Sequence, residues 1–399
     1  MIKKILGLGL ISAVLFMFSC KKEEGSLPGG ASVDSTSIKS ISNVGNEVSQ
    51  DVKDLTTSEG VQSMVAIMGL MSGNDAFGNL PTGFKSNNTN QSLLLMKKVG
   101  LVFSPSILLN KNIPVSKEFK PLIRNLNKTL DGDEASKSYF DFNKYKGIYR
   151  WNPGTKDWDK IGSSNEIVMQ FPVALKDPND TSKVTKKNAV LTFHEYSESN
   201  ILMGGKYLPT KIRLDLFIGG VKEAELAYRG EFGSNGMPKN LNLMVFVKPF
   251  TLTANYIDKG LSISFNLTFK NASKQIFSCG TTITFNNSNK IDTSITKMLA
   301  NVQKIDAYVQ IHSLKVAGSA DVAALYKIKD NATADDLNRD VKISIYNFDN
   351  GSKTGDVVFE KSSTQGSSNM EVYIKFTNGN KMKADEYLNS IKGLLNFGS

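Results

Sequence analysis

The sequence predicts an α+β chain. A mostly helical N-terminal block leads into a large antiparallel β meander (a curved sheet, half-barrel or sandwich), which ends in a C-terminal helix. Three observations predict it. Apolar residues recur at steps of three and four over 37–73. Strict apolar/polar alternation begins after Tyr139. Helical spacing returns at 384–397.

The helical block spans 37–135. Ile38, Ile41, Val44, Val48 and Val52 lie on one helical face. Ser58 followed by Glu59 marks a new helix start, and the run Met64–Met71, apolar on nearly all sides, predicts a buried helix. Residues 74–92 are rich in Asn, Gly and Ser and read as a loop; 93–109 and 119–130 are further helical candidates.

The β-rich region spans 136–399. Leu261, Ile263, Phe265, Leu267 and Phe269 alternate with Ser262, Ser264, Asn266, Thr268 and Lys270. Ile212, Leu214, Leu216 and Ile218 do the same, as do Ala224, Leu226 and Tyr228. Such strands bury one face and wet the other. Further strands are expected at 147–151, 157–161, 166–171, 188–196, 241–256 and 275–286, and helices at 292–303 and 320–328. Gly219-Gly220, Asn350-Gly351 and Asn378-Gly379 sit between strand-like runs and supply the positive φ of tight hairpins. The C-terminal helix carries Tyr387, Leu388, Ile391, Leu394 and Leu395 on one side.

The 399 residues are 40% hydrophobic and 22% charged, ordinary for a chain that folds around a core. Two histidines and two cysteines leave little for transition-metal chemistry or a disulfide scaffold, so neither a metal site nor a cofactor is expected. No Gly-rich phosphate loop opens a helix after a strand. The net charge of +10 falls to +8 without Lys3 and Lys4, and all of that excess lies within 136–300. It suits attraction to anionic lipid or polysaccharide; nucleic acid is not an expected partner.

The N-terminus carries an address. Lys3 and Lys4 precede the apolar run Ile5–Phe18, too short to span a bilayer as a helix, which reads as the core of a signal peptide over 1–19. Ser19-Cys20 follows, then Lys22-Glu23-Glu24, then a Gly/Ser/Pro-rich tether that completes 20–36. Met17-Phe18-Ser19-Cys20 resembles a bacterial lipobox, and Lys22, Glu23 and Glu24 resemble the surface-export signal of Bacteroidota lipoproteins. The resemblance implies lipidation at Cys20, a membrane partner reached through that anchor, and an outer-membrane location, surface-exposed or alternatively periplasm-facing. Asp34-Ser35-Thr36 resembles an O-glycosylation site of the same group, with Ser35 as acceptor.

Inside the folded region, Tyr149–Trp158 resembles one kelch-type strand–turn–strand unit, without a second copy. It holds both tryptophans, Trp151 and Trp158, which either pack a hairpin or offer a stacking platform to a sugar. His194 and His312 fall in strand patterns and read as ordinary strand residues, Cys279 as a buried inert thiol, and Asp157, Asp159, Glu223 and Glu225 as solvated surface. The expected function is therefore non-enzymatic: a lipid-anchored envelope protein with a binding or structural role. The alternative is a carrier of a lipid or other apolar ligand, since a curved sheet closed by helices resembles half-barrel lipid carriers. A hydrolase or glycan-binding module comes third.

Overall fold

The computed structural model describes Glu47, Gln50, Asp51, Asp54 and Ser58, and then 140–387 apart from 153, 156, 177–183, 204–205, 235, 288–299, 329–331 and 363–369. Most of this is one large antiparallel β-sheet; 68% of it is strand and 13% helix. The α+β expectation is thereby corrected: the described residues show few helices and no helical N-terminal block. Of 37–135, the described residues are the five just named, four of them helical. The excess of strand comes from period-two runs that continue past 300. Ile305, Ala307, Val309 and Ile311 alternate with Asp306, Tyr308 and Gln310, and Ile343 and Ile345 alternate with Lys342 and Ser344. No described helix is long and apolar enough to cross a membrane.

The chain divides into two compact units, one of Asp54–Asn255 and one of Met1–Lys53 with Tyr256–Ser399. In the first, β1 (Gly147–Asn152) and β2 (Asp157–Gly162) form a hairpin. β3 (Ile167–Lys176) returns to the other side of β1 and pairs with it in parallel. From β3 onward the chain meanders through β4 (Val184–Met203), β5 (Lys206–Ile218), β6 (Val221–Phe232) and β7 (Pro238–Val247), each antiparallel to the one before.

The alternation read from the sequence sets the faces here. Ile212, Leu216 and Ile218 on β5 and Ala224, Leu226 and Tyr228 on β6 are buried, together with Met169, Leu191 and Phe193. Register aligns them: Ile167 faces Phe193, Phe193 faces Leu214, and Leu214 faces Leu226. Gly219 and Gly220 close β5–β6 at φ +59° and +84°, a pair that L side chains rarely adopt. The single strand expected at 241–256 is two: a turn at Lys248-Pro249 separates β7 from β8 (Phe250–Asp258). Proline has no N–H to give a ladder, so the strand breaks there.

The second unit continues with β9 (Ser262–Asn271), β10 (Lys274–Phe285), β11 (Val302–Ile311) and β12 (Leu314–Asp321). Two short helices follow, α1 (Val322–Ile328) and α2 (Ala334–Asp340). β13 (Val341–Asn347), β14 (Lys353–Lys361), β15 (Met370–Phe376) and β16 (Lys381–Lys383) complete it. Each strand from β10 to β16 pairs antiparallel with its predecessor. The expected helix at 292–303 gives way to strand at Val302; 292–299 lie outside the described residues.

Val322, Leu325 and Leu337 of the two helices bury Phe285, Val302, Ala320 and Phe359 at one end of this sheet. α2 starts with a capping box between Thr333 and Asp336. Asn338 then clamps it to β14, donating to the Phe359 carbonyl at 2.7 Å and accepting from the Phe359 N–H at 2.8 Å. Toward the other end, Tyr387 joins Ile345, Ile374 and Phe376 in a second cluster. Ala384 to Tyr387 are helical, and 388–399 lie outside the described residues.

β9 departs from expectation. Leu261 is 53% exposed. Ile263, Phe265, Leu267 and Phe269 are only half-buried, as are Ser264, Asn266 and Thr268 on the opposite face. The helical cluster reaches β9 at Ile263, so the apolar alternation is real but its burial is partial.

Candidate functional site

Cys20, Lys22, Glu23, Glu24 and Ser35 lie outside the described residues. Trp151 and Trp158 face each other across the β1–β2 ladder. Their rings meet edge to face at 5.5 Å, and Trp158 meets Phe171 the same way at 5.9 Å. The turn between them is an Asx turn: the Asn152 side-chain oxygen accepts from the Gly154 N–H at 2.9 Å. Trp151 is 5% exposed, so the pair packs the hairpin and does not present two open faces to a sugar.

The sequence separates His194 from two carboxylates that the sheet brings to it. A register shift in β4 lies between Phe193 and Glu195, and His194 occupies it. Glu166 sits just before β3, and Asp215 lies on β5 opposite Thr192. Glu166 Oε1 is 2.6 Å from His194 Nδ1, and Asp215 Oδ2 is 2.9 Å from Nε2. Burial works against a charged ring, yet the hydrogen bonds and charges of Glu166 and Asp215 outweigh it and raise the pKa of His194. Each ring nitrogen thus lies within hydrogen-bond distance of a carboxylate, an arrangement that favours the protonated ring.

His312 is not a strand residue. It occupies the two-residue turn between β11 and β12 at φ +48°, in the left-handed region, with its N–H donating to the Ile276 carbonyl at 2.8 Å. Its side chain is 2% exposed. Glu47 Oε2 lies 2.9 Å from Nδ1 and Asp51 Oδ2 lies 2.9 Å from Nε2, neither aligned as a hydrogen bond. Glu47 also pairs with Lys274 at 3.0 Å. Burial lowers the pKa of this ring, with Lys274 acting in the same direction, against the pull of Asp51 and Glu47. The spacing of Glu47 and Asp51, one helical turn apart, was the signal that these acids share a target; nothing in the sequence named His312 as that target.

Other candidates are structural. Glu223 is buried, its carboxylate 3.4 Å from Lys248 Nζ, while Glu225 pairs with Lys222 at 2.7 Å. Asp159 accepts from Asn152 at 2.8 Å. Burial pushes the Cys279 thiol up to about 11, which keeps it a protonated, unreactive group. Among the described residues no cluster of three or more His, Cys, Asp or Glu is arranged to hold a metal ion. No family model, curated protein or solved structure matches the chain.

Proposed function

We propose that the chain is a lipid-anchored cell-envelope protein that acts by binding or support rather than by catalysis. The observation that carries the reading is the N-terminal series: a basic pair, a short apolar run, Ser19-Cys20, an acidic export-like stretch and a flexible tether. A diacylated and N-acylated cysteine holds a protein at a membrane without a spanning helix, because two or more chains anchor where one binds only marginally. The sheet supports the non-catalytic part of the reading. Its histidines are occupied by carboxylates, its thiol is kept protonated, and its tryptophans pack one another.

The test is metabolic labelling with a palmitate analogue, followed by membrane fractionation. The wild type is expected to label and to sediment with membranes. Cys20→Ala is expected to lose both properties, and undiminished labelling in that variant overturns the assignment.

A further inference from the structure

In the second unit, Ile263, Ile283 and Ile305 pack against the helical cluster on one face of the sheet. The opposite face is polar, and one row of it runs in register across five strands: Asn266, Gly280, Tyr308, Ala317 and Ser344. Small residues flank the one ring in this row. A Cβ at Gly280 would lie 2.5 Å from Tyr308 Cε1 and would collide with Asn266 Oδ1, so the missing side chain lets ring and amide lean together over β10. Tyr308 and Asn266 are both half-buried, and among the described residues neither the Asn266 amide nor the Tyr308 hydroxyl makes a hydrogen bond. Lys315 Nζ stands 5.0 Å from the centre of the Tyr308 ring and 5.9 Å from that of Phe348, which is 48% exposed. Lys342 and Lys375 are exposed on the same face. Among the described residues none of these three lysines forms an ion pair. Asp306 and Asp356, the acids beside the row, are already paired with Lys304 and Lys353 at 2.8 and 2.7 Å.

We propose that this face binds an acidic polysaccharide, with Tyr308, Asn266 and Lys315 as its central subsite. The inference rests on the binding role proposed above and gives that role a partner class. A sugar ring has an apolar face and a rim of hydroxyls. The first suits the Tyr308 ring, and the second suits the unused amide and phenol beside it. A carboxylate on the sugar gives Lys315 the anion it lacks, in a charge-assisted hydrogen bond. Lys342 and Lys375 extend the positive field along the same face. The row crosses four strand spacings, about 19 Å, so it meets several sugars of a chain and not one alone. An anionic phospholipid headgroup matches the charge but offers no ring face for Tyr308, and this favours the polysaccharide.

The experiment measures retention of the full chain, in detergent, on immobilised poly(galacturonic acid), with dextran as the neutral control. The wild type is expected to bind the acidic polymer and not dextran. Tyr308→Leu and Lys315→Gln are each expected to weaken binding roughly fivefold. Tyr308→Phe keeps the ring and is expected to lose about twofold or less. Lys186→Gln removes the same charge from an exposed position of the first unit and is expected to change binding by less than about twofold. Thermal midpoints check folding, and Lys315→Gln carries the test if Tyr308→Leu melts early. A wild type that is not retained overturns the proposal. So does Lys186→Gln proving as damaging as Lys315→Gln, which reduces the binding to net charge, and so does a folded Tyr308→Leu that binds like the wild type. Release of the wild type by micelles doped with phosphatidylglycerol assigns the face to lipid and overturns it too. Cys20→Ala is expected to bind the polymer unchanged, which separates failure of this proposal from failure of the anchor reading.

Discussion

Replacing His194 with Gln removes a ring that both Glu166 and Asp215 contact, and the effect should depend on pH. The folded-state pKa of His194 is raised, so the bridge contributes fully below the ordinary value of about 6.5 and fades as pH rises through the higher folded value. A hydrogen bond to a charged partner contributes about 1.5–3 kcal/mol when shielded. Asp215 is 13% exposed and comes near that range, whereas Glu166 is 40% exposed and is discounted toward the ~0.2–1 kcal/mol of surface pairs. The bridge then stabilises its unit by about 2 kcal/mol at pH 5.5. A unit of this size shifts by about 2–4 °C per kcal/mol, so the wild type should melt about 4–8 °C above His194→Gln. Both tryptophans lie in the same unit as His194, so tryptophan fluorescence reports its melting selectively. The gap should shrink steadily toward pH 8.5. A gap that stays constant, or widens with pH, refutes the raised pKa and with it the bridging role.

Phe193→Ala, at a position with no exposure, should destabilise by about 3–5 kcal/mol in denaturant melts. Phe265→Ala on half-buried β9 should cost less than half as much; equal losses would mean that β9 is packed as tightly as β4. Thr333→Ala should cost about 1 kcal/mol through loss of the α2 capping box, read as a lower midpoint with unchanged slope. Protease added to intact cells should degrade the wild type, while alanine at Lys22, Glu23 and Glu24 should protect it; a wild type already resistant on cells but cut after denaturation removes the surface-export reading.

The faces of β5 and β6 were legible because each strand buries one side only, so the period-two signal survives intact in Leu216, Leu226 and Tyr228. The proline turn at 248–249 was less so, since Val247 and Phe250 are both apolar and the run reads through. The strands after 300 were hidden by their small and polar members. Ala307, Gly318 and Ser344 carry little hydrophobic signal, and it is pairing with neighbours that fixes them as strand. The two carboxylate–histidine groupings were invisible for a different reason. Glu166, His194 and Asp215 are far apart in sequence and meet only through register and a bulge, and Glu47 reaches His312 from the opposite end of the chain.

The order of pairing has a consequence for how this chain acquires its structure. From β4 to β7, and again from β10 to β16, each strand bonds to the one synthesised just before it. Most joins are hairpins whose closure entropy is small, so ladders can grow strand by strand without waiting for distant segments. The exception is at the start. β1 must hold β2 on one side while keeping its other edge open for β3, in parallel. A chain synthesised N-terminus first would meet that one demanding step early. Thereafter each emerging strand finds a finished template edge, and little unpaired edge is exposed at any moment to aggregation with other chains.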